Sequence, residues 1–314
     1  MNSYERVIRA IEFGSPDRLP VWNINADEKD GDVLWYDLRV CGNGNESEWG
    51  YTWENLDDGT MGQPRESVIK HAEDIESYAF PEINEELRFK GLKEFMDGSE
   101  GYYRLGMSVI NGFTTYTFLR GFENALMDLA MREPGALELL KGIFDFEKEL
   151  MKRCKEKGFH GFHLGDDWGT QKGMVISPGM WDELFAPLYK DQIDYAHELG
   201  LHIWFHSCGN FADIIGRLHD LGVDVINIAQ PNTVDYESVG AGLRGRQCFL
   251  MPLSYQTTSI SGTREEIFSE AERMYKALGA QTGGFIGYTE EYSCMGMSEE
   301  NFKACKEAFA GIRI

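Results

Sequence analysis

The sequence predicts an α/β protein, a (β/α)8 TIM barrel, and three observations carry that expectation. From residue 159 onward, short apolar runs alternate with helical patterns, the rhythm of parallel strands joined by crossover helices. The chain has 314 residues, which suits one barrel in a single domain, 1–314. No Gly-x-Gly-x-x-Gly follows the first apolar run, which weakens the competing doubly wound dinucleotide fold.

Each element has its own warrant. Ser3–Phe13 carries Val7, Ile8 and Ile11 at helical spacing and stops at Gly14-Ser15-Pro16. Leu19–Ile24 reads as a first buried strand. Residues 26–66 are polar, with Trp35, Tyr36, Trp49, Tyr51 and Trp53 scattered among Gly, Asp and Asn. They read as an insertion after the first strand, either a lid or pocket wall or a satellite cluster packed on the barrel. His71–Phe80 and Glu85–Met96 read as short helices, Tyr102–Ile110 as the second strand, and 114–133 and 135–157 as helices. Strands Phe159–Gly165, Leu201–His206, Val223–Ile228, Gln247–Leu253 and Gly283–Tyr288 then alternate with helices Pro178–Leu199, Asn210–Leu221, Val234–Gly240, Thr263–Leu278 and Ser298–Ala310. Seven strands are visible in this reading, and the eighth is expected near Asn111–Phe118.

Composition narrows the partners. With 52 acidic against 30 basic residues the formal charge is -22, which argues against nucleic acid or an anionic membrane as a partner. Six dispersed cysteines suit a reducing compartment better than a disulfide framework. Met1–Pro20 has no apolar signal core and no run approaches a membrane span, so a soluble cytoplasmic protein is expected.

In a barrel, function gathers at the carboxyl ends of the strands. Four of these ends are polar: Gly165-Asp166-Asp167-Trp168-Gly169-Thr170-Gln171, His206-Ser207-Cys208-Gly209-Asn210, Ala229-Gln230-Pro231-Asn232, and Tyr288-Thr289-Glu290-Glu291. Side chains alternate along a strand, so His206 and Cys208 share a face while Ser207 points away. An imidazole and a thiol side by side offer two ligands to zinc. The third ligand is open between Cys294, after the last strand, and Glu290 or Glu291; Cys248 and Cys305 read as core. Asp166 and Asp167 are candidate catalytic carboxylates, with a loop or helix-capping role expected for one of them. Asn23, Trp168, Gln171, Gln230, Tyr288 and Glu290 are candidate substrate contacts.

These residues resemble the uroporphyrinogen decarboxylase superfamily, an (α/β)8 barrel group, and within it the corrinoid-dependent methyltransferase branch more than the decarboxylase. The resemblance rests on GDDWGTQ (165–171), ISPGMWDELFAPLY (176–189), HSCGN (206–210) and GVDVINIAQP (222–231). It implies His206 and Cys208 as zinc ligands, with Cys294 matching the later cysteine of that branch. Tyr292-Ser293-Cys294-Met295-Gly296-Met297 departs from the glycine-cysteine-glycine setting found there. The decarboxylase reading is disfavoured because Asn23-Ile24-Asn25-Ala26-Asp27 stands where decarboxylases carry an arginine-containing stretch for a polycarboxylate substrate. The resemblance thus implies a zinc methyltransferase acting on a small methyl donor or a thiol acceptor. A corrinoid supplied by a partner protein would be its cofactor, and a homodimer its assembly. The alternative is a lyase on the same barrel, acting on another small carboxylated substrate without corrinoid.

Overall fold

A computed structural model describes residues 1–24, 28–41, 46–54 and 62–314. The polar segment 26–66 and the stretch Asn23–Asp27 are therefore described only in part, since 25–27, 42–45 and 55–61 lie outside the described residues.

The chain begins with α1 (Ser3–Ile11), whose first turn is closed by a capping box between Asn2 and Glu5. Then come β1 (Val21–Ile24), β2 (Val33–Asp37), a short hairpin of β3 (Trp53–Glu54) and β4 (Gln63–Pro64), and helices α2 (Glu85–Arg88) and α3 (Leu92–Gly98). β5 (Tyr103–Met107) leads into α4 (Gly112–Arg120), α5 (Phe122–Met131) and α6 (Pro134–Glu156). The regular part follows: β6 (Gly161–Gly165), α7 (Pro178–Leu184), α8 (Ala186–Glu198), β7 (His202–Ser207), α9 (Ala212–Leu221) and β8 (Val225–Ile228). The chain ends with α10 (Tyr236–Leu243), β9 (Cys248–Pro252), α11 (Thr258–Ser261), α12 (Arg264–Leu278), β10 (Phe285–Glu290) and α13 (Glu299–Ala310).

Eight strands form one sheet in the order β1-β10-β9-β8-β7-β6-β5-β2, and every pairing in it is parallel. The expected (β/α)8 barrel is present. β1 and β2 meet at the seam, where Asp32 N–H donates to Val21 O at 2.7 Å and the Asp32 carboxylate accepts from Val21 N–H at 3.0 Å. That carboxylate also holds Arg6 at 2.6 Å and Arg18 at 2.8 Å, which ties the first helix and the segment before β1 to the seam.

Alternate residues divide the barrel into two layers. Trp22, Leu105, Trp204, Val225, Leu250 and Ile286 fill the interior, with Val7, Ala10 and Ile11 of α1 in the same cluster. Phe162, Phe205, Ile226, Phe249 and Phe285 point outward, into the larger core beneath the helices.

The eighth strand differs from the expectation. It is Val33–Asp37, inside the segment read as an insertion, whereas 112–120 is helical. Only Val33 and Leu34 of β2 are buried, so its apolar signature is two residues long and is lost among polar neighbours. Thr-, Tyr- and Phe-rich α4 has strand-like composition, but its first-turn amides are captured by buried carboxylates, which favours the helix. The helix expected over 114–133 breaks at Gly121, whose φ of 77° and ψ of 144° end one helix and start the next.

Candidate active site

The end of β7 sits between β6 and β8, with His206 level with Gly165 on one side and Asn227 on the other. His206 shares the inward parity of Trp204. Ser207 turns outward and is fully buried, and its Oγ accepts the Trp168 backbone N–H at 2.9 Å. Cys208 returns to the His206 side, with its Sγ 3.6 Å from His206 Nε2.

The third member of the group comes from the β6 loop. Asp167 Oδ1 lies 3.7 Å from His206 Nε2 and accepts the Cys208 backbone N–H at 2.8 Å. One ligand atom from each of Asp167, His206 and Cys208 lies within 4.8 Å of the other two. Two glycines allow this approach. A Cβ on Gly209 (φ +71°) would fall 2.2 Å from the Gly169 backbone, and one on Gly169 would fall 2.4 Å from the Gly209 carbonyl carbon. The loops therefore touch backbone to backbone, and Gly169 N–H donates to Cys208 O at 3.1 Å.

Asn227 fixes the imidazole. Its Nδ2 donates to Leu250 O at 2.8 Å, and its Oδ1 lies 2.6 Å from His206 Nδ1. Because a carbonyl can only accept, the amide nitrogen faces Leu250 and the amide oxygen faces the ring. His206 Nδ1 therefore carries the proton, and the Nε2 lone pair is directed at Cys208 and Asp167. Sequence reasoning passed over Asn227, although a lone amide in the buried run Val225-Ile226-Asn227-Ile228 was a signal for it.

Burial, and then the nearby carboxylates of Asp167 and Glu290, hold the Cys208 thiol well above its ordinary pKa. A bound divalent cation would reverse that balance by stabilising the thiolate. The donor set of one imidazole nitrogen, one sulfur and one carboxylate oxygen fits zinc.

The two adjacent aspartates have separate roles. Asp166 is fully buried and holds the start of α4. Its Oδ2 accepts Phe113 N–H at 2.9 Å, and its Oδ1 accepts Thr114 N–H and Thr114 Oγ1–H, both at 2.7 Å. Tyr189 OH also donates to it. Burial pushes its carboxyl up to about 7. Asp167 is half exposed and faces the Cys–His pair.

The remaining candidates divide. Gln230 Oε1 accepts Gly209 N–H at 2.8 Å and Gln171 Nε2–H at 3.2 Å, and Gln171 Oε1 accepts from Gln256 at 3.3 Å. The two glutamines thus brace the cysteine loop. Glu290 accepts hydroxyl hydrogen bonds from Tyr288 at 2.7 Å and Tyr292 at 3.0 Å. Trp168 does not line the mouth. It is fully buried, stacked on Phe113 at 4.6 Å, and its indole N–H donates to Tyr189 OH at 3.0 Å. Asn23 likewise has the outward parity of Val21, is buried, and accepts from Thr289 Oγ1–H. Cys294 lies exposed on the single turn Ser293–Met295 and is not part of the close group. Glu291 accepts from Ser293 N–H and Oγ–H, both at 2.8 Å. His163 was unassigned in the sequence; its buried imidazole lies under His206, ring centroids 5.7 Å apart, and its Nδ1 has no hydrogen-bond partner among the described residues.

Fold and site together define a parallel (β/α)8 barrel with a nitrogen–sulfur–oxygen cluster at its carboxyl-end mouth. The chain belongs to the uroporphyrinogen decarboxylase (URO-D) family, whose profile matches residues 55–310. Among solved structures, a methyltransferase from Methanosarcina mazei is 12% identical and superposes with a TM-score of 0.78 over 98% of each chain. A putative vitamin-B12 independent methionine synthase from Listeria monocytogenes is also 12% identical; it matches 67% of this chain and 64% of its own, with a TM-score of 0.43. At such identity the first likeness is one of fold. No curated protein sequence matches.

Proposed function

We propose that the chain is a zinc-dependent methyltransferase that moves a methyl group between a small methylated substrate, or a thiol acceptor, and a corrinoid carried by a separate protein. The observation that carries this reading is the group of Asp167, His206 and Cys208, with the His206 lone pair aimed inward by Asn227. His206 and Cys208 would hold the metal. Asp167 joins Cys294 and Glu290 as a candidate for the remaining protein position. When bound there, zinc supplies Lewis acidity toward the heteroatom of a methyl donor, or holds a thiol acceptor as thiolate.

The chain's own residues do the positioning. Asp166 fixes α4 against the mouth, and Gln171 and Gln230 hold the turn at Gly209. Glu290, kept in place by two tyrosine hydroxyls, gives the opposite wall a hydrogen-bond acceptor. The likeness in fold to the Methanosarcina mazei methyltransferase supports the reading. A corrinoid protein docking at the mouth, a homodimer and a cytoplasmic location belong to the same proposal. No helix among the described residues is long and apolar enough to cross a membrane. The lyase alternative would keep both Asp166 and Asp167 central, and with Asp166 fully buried and committed to α4 it would rest on the half-exposed Asp167 alone.

The test is metal content and methyl transfer together. The purified chain should hold about one zinc, lost in Cys208→Ser, and should methylate cob(I)alamin with one of a panel of methyl donors or demethylate methylcobalamin with thiols. A metal-free chain, or one inert in both directions, overturns the proposal.

A further inference from the structure

The groups gathered around the Cys–His pair are acids and acceptors. Asp167 stands on the β6 side. On the β10 side the Glu290 carboxylate accepts the Tyr288 hydroxyl at 2.7 Å and the Tyr292 hydroxyl at 3.0 Å. Tyr292 lies against Tyr255, ring centroids 4.7 Å apart. The ionisable groups that bear most strongly on Cys208, Tyr255, Tyr288 and Tyr292 are Asp167, Glu290, Cys208 and the tyrosines themselves, with no Lys or Arg among them. Segments 25–27, 42–45 and 55–61, outside the described residues, contain no Lys, Arg or His.

A second observation comes from the floor of the mouth. His163 is 5% exposed, and its Nδ1 has no hydrogen-bond partner among the described residues. Its Cε1 lies 3.3 Å from where a Cβ on Gly165 would fall, and Gly165 is level with His206, so the ring is turned up toward the mouth. Burial, and then His206, hold this imidazole well below its ordinary pKa, so it brings an acceptor nitrogen and no positive charge. A buried nitrogen without a partner is costly in a finished core and marks a place where the polar group of a ligand is met.

The metal does not reverse the sign of this site. A zinc ion held by the Cys208 thiolate and the Asp167 carboxylate is cancelled by them, so Glu290 sets the charge that a substrate meets. A carboxylate, tyrosine faces and a neutral imidazole are together complementary to a cation and repel an anion. We propose that the small substrate carries an ammonium group at the end away from the zinc, received by Glu290 and the tyrosines around it. This deepens the methyltransferase reading by naming the class of its substrate, and it rests on that reading for the end held at the metal.

The experiment is calorimetric titration of the purified, zinc-loaded full chain with three thiols of matched length: cysteamine, mercaptoethanol and thioglycolate. Propylammonium and propanol are titrated beside them as probes that do not need the metal. Cysteamine should bind about five- to tenfold more tightly than mercaptoethanol, thioglycolate should bind most weakly, and propylammonium should bind more tightly than propanol. Glu290→Gln should remove the preference for both ammonium ligands and leave mercaptoethanol unchanged, while Glu290→Asp retains most of it. Zinc content and thermal melting of both variants show that site and fold persist, and the comparison of thiols on the parent chain needs no variant. The inference is overturned if thioglycolate binds as tightly as cysteamine, if no ligand of the set binds, or if Glu290→Gln leaves the ammonium preference intact. Thiols bound without regard to charge on a zinc-containing chain would sink only the substrate class. Propylammonium bound through Glu290 on a chain that takes up no zinc would sink the methyltransferase reading alone.

Discussion

Replacing Asn227 by leucine isolates the step that turns His206 into a metal ligand. The side chains are of similar size, so packing in β8 is nearly kept while two hydrogen bonds vanish: the one at 2.6 Å to His206 Nδ1 and the one at 2.8 Å to Leu250 O. The first loss frees the ring to rotate and to change tautomer. Outer partners of this kind are worth about 10–100-fold in metal affinity, or roughly 1.4–2.7 kcal/mol. The second removes a partner from a buried carbonyl, for about 1–3 kcal/mol of stability. Asn227→Asp separates the two, because it keeps an acceptor for His206 Nδ1–H but cannot donate to Leu250 O. Zinc affinity measured by chelator competition, together with thermal melting, should therefore show both losses in Asn227→Leu and mainly the stability loss in Asn227→Asp. Parent-like zinc affinity in Asn227→Leu would refute the assignment of His206 as an oriented ligand.

Other expectations follow from the same geometry. Asp166 and Glu147 are both buried and raised to about 7. Between their ordinary pKa values near 4 and about 7, the folded state binds more protons than the unfolded state, so stability falls as pH rises through that window and levels off above it. Denaturant titrations from pH 4 to 8 should show that decline, and Glu147→Gln should flatten it in part. Gly209→Ala places a Cβ 2.2 Å from Gly169 at a positive φ and should lower both the melting temperature and the zinc content, by more than the roughly 1–2 kcal/mol of the backbone term alone. Gly216→Ala in α9 meets nothing within 4 Å and should raise stability by about 0.5–1 kcal/mol in calorimetry. Asp32→Ala leaves Arg6 and Arg18 without their shared carboxylate at the barrel seam and should cost about 3–5 kcal/mol, seen as a fall in the denaturation midpoint.

The fold was legible because parallel barrel strands are buried on both faces and read as apolar runs. Val33–Asp37 escaped because its second half is only partly buried. The facing of His206 and Cys208 was legible from the two-residue repeat of a strand, and the structure sets them 3.6 Å apart. The same repeat could not place Asn23, since Val21, Trp22, Asn23 and Ile24 are all buried and hydrophobicity does not mark the inward face. Trp168 misled for a related reason: Ser207 Oγ binds its backbone, and its ring joins Phe113, Phe185 and Tyr189 in the helical layer. The split between Asp166 and Asp167 depends on where α4 begins, and that boundary was hidden when Asn111–Phe118 was read as a strand. The role of Asn227 needs β9, since only the Leu250 carbonyl orients its amide.

Cobalt substitution tests the central claim most directly, because a thiolate bound to Co2+ gives a charge-transfer absorption that imidazole and carboxylate do not. The account predicts one Co2+ per chain in competition with zinc, an absorption of that kind, and its disappearance in Cys208→Ser. A chain that takes up no cobalt, or one whose thiolate absorption survives Cys208→Ser intact, would contradict it.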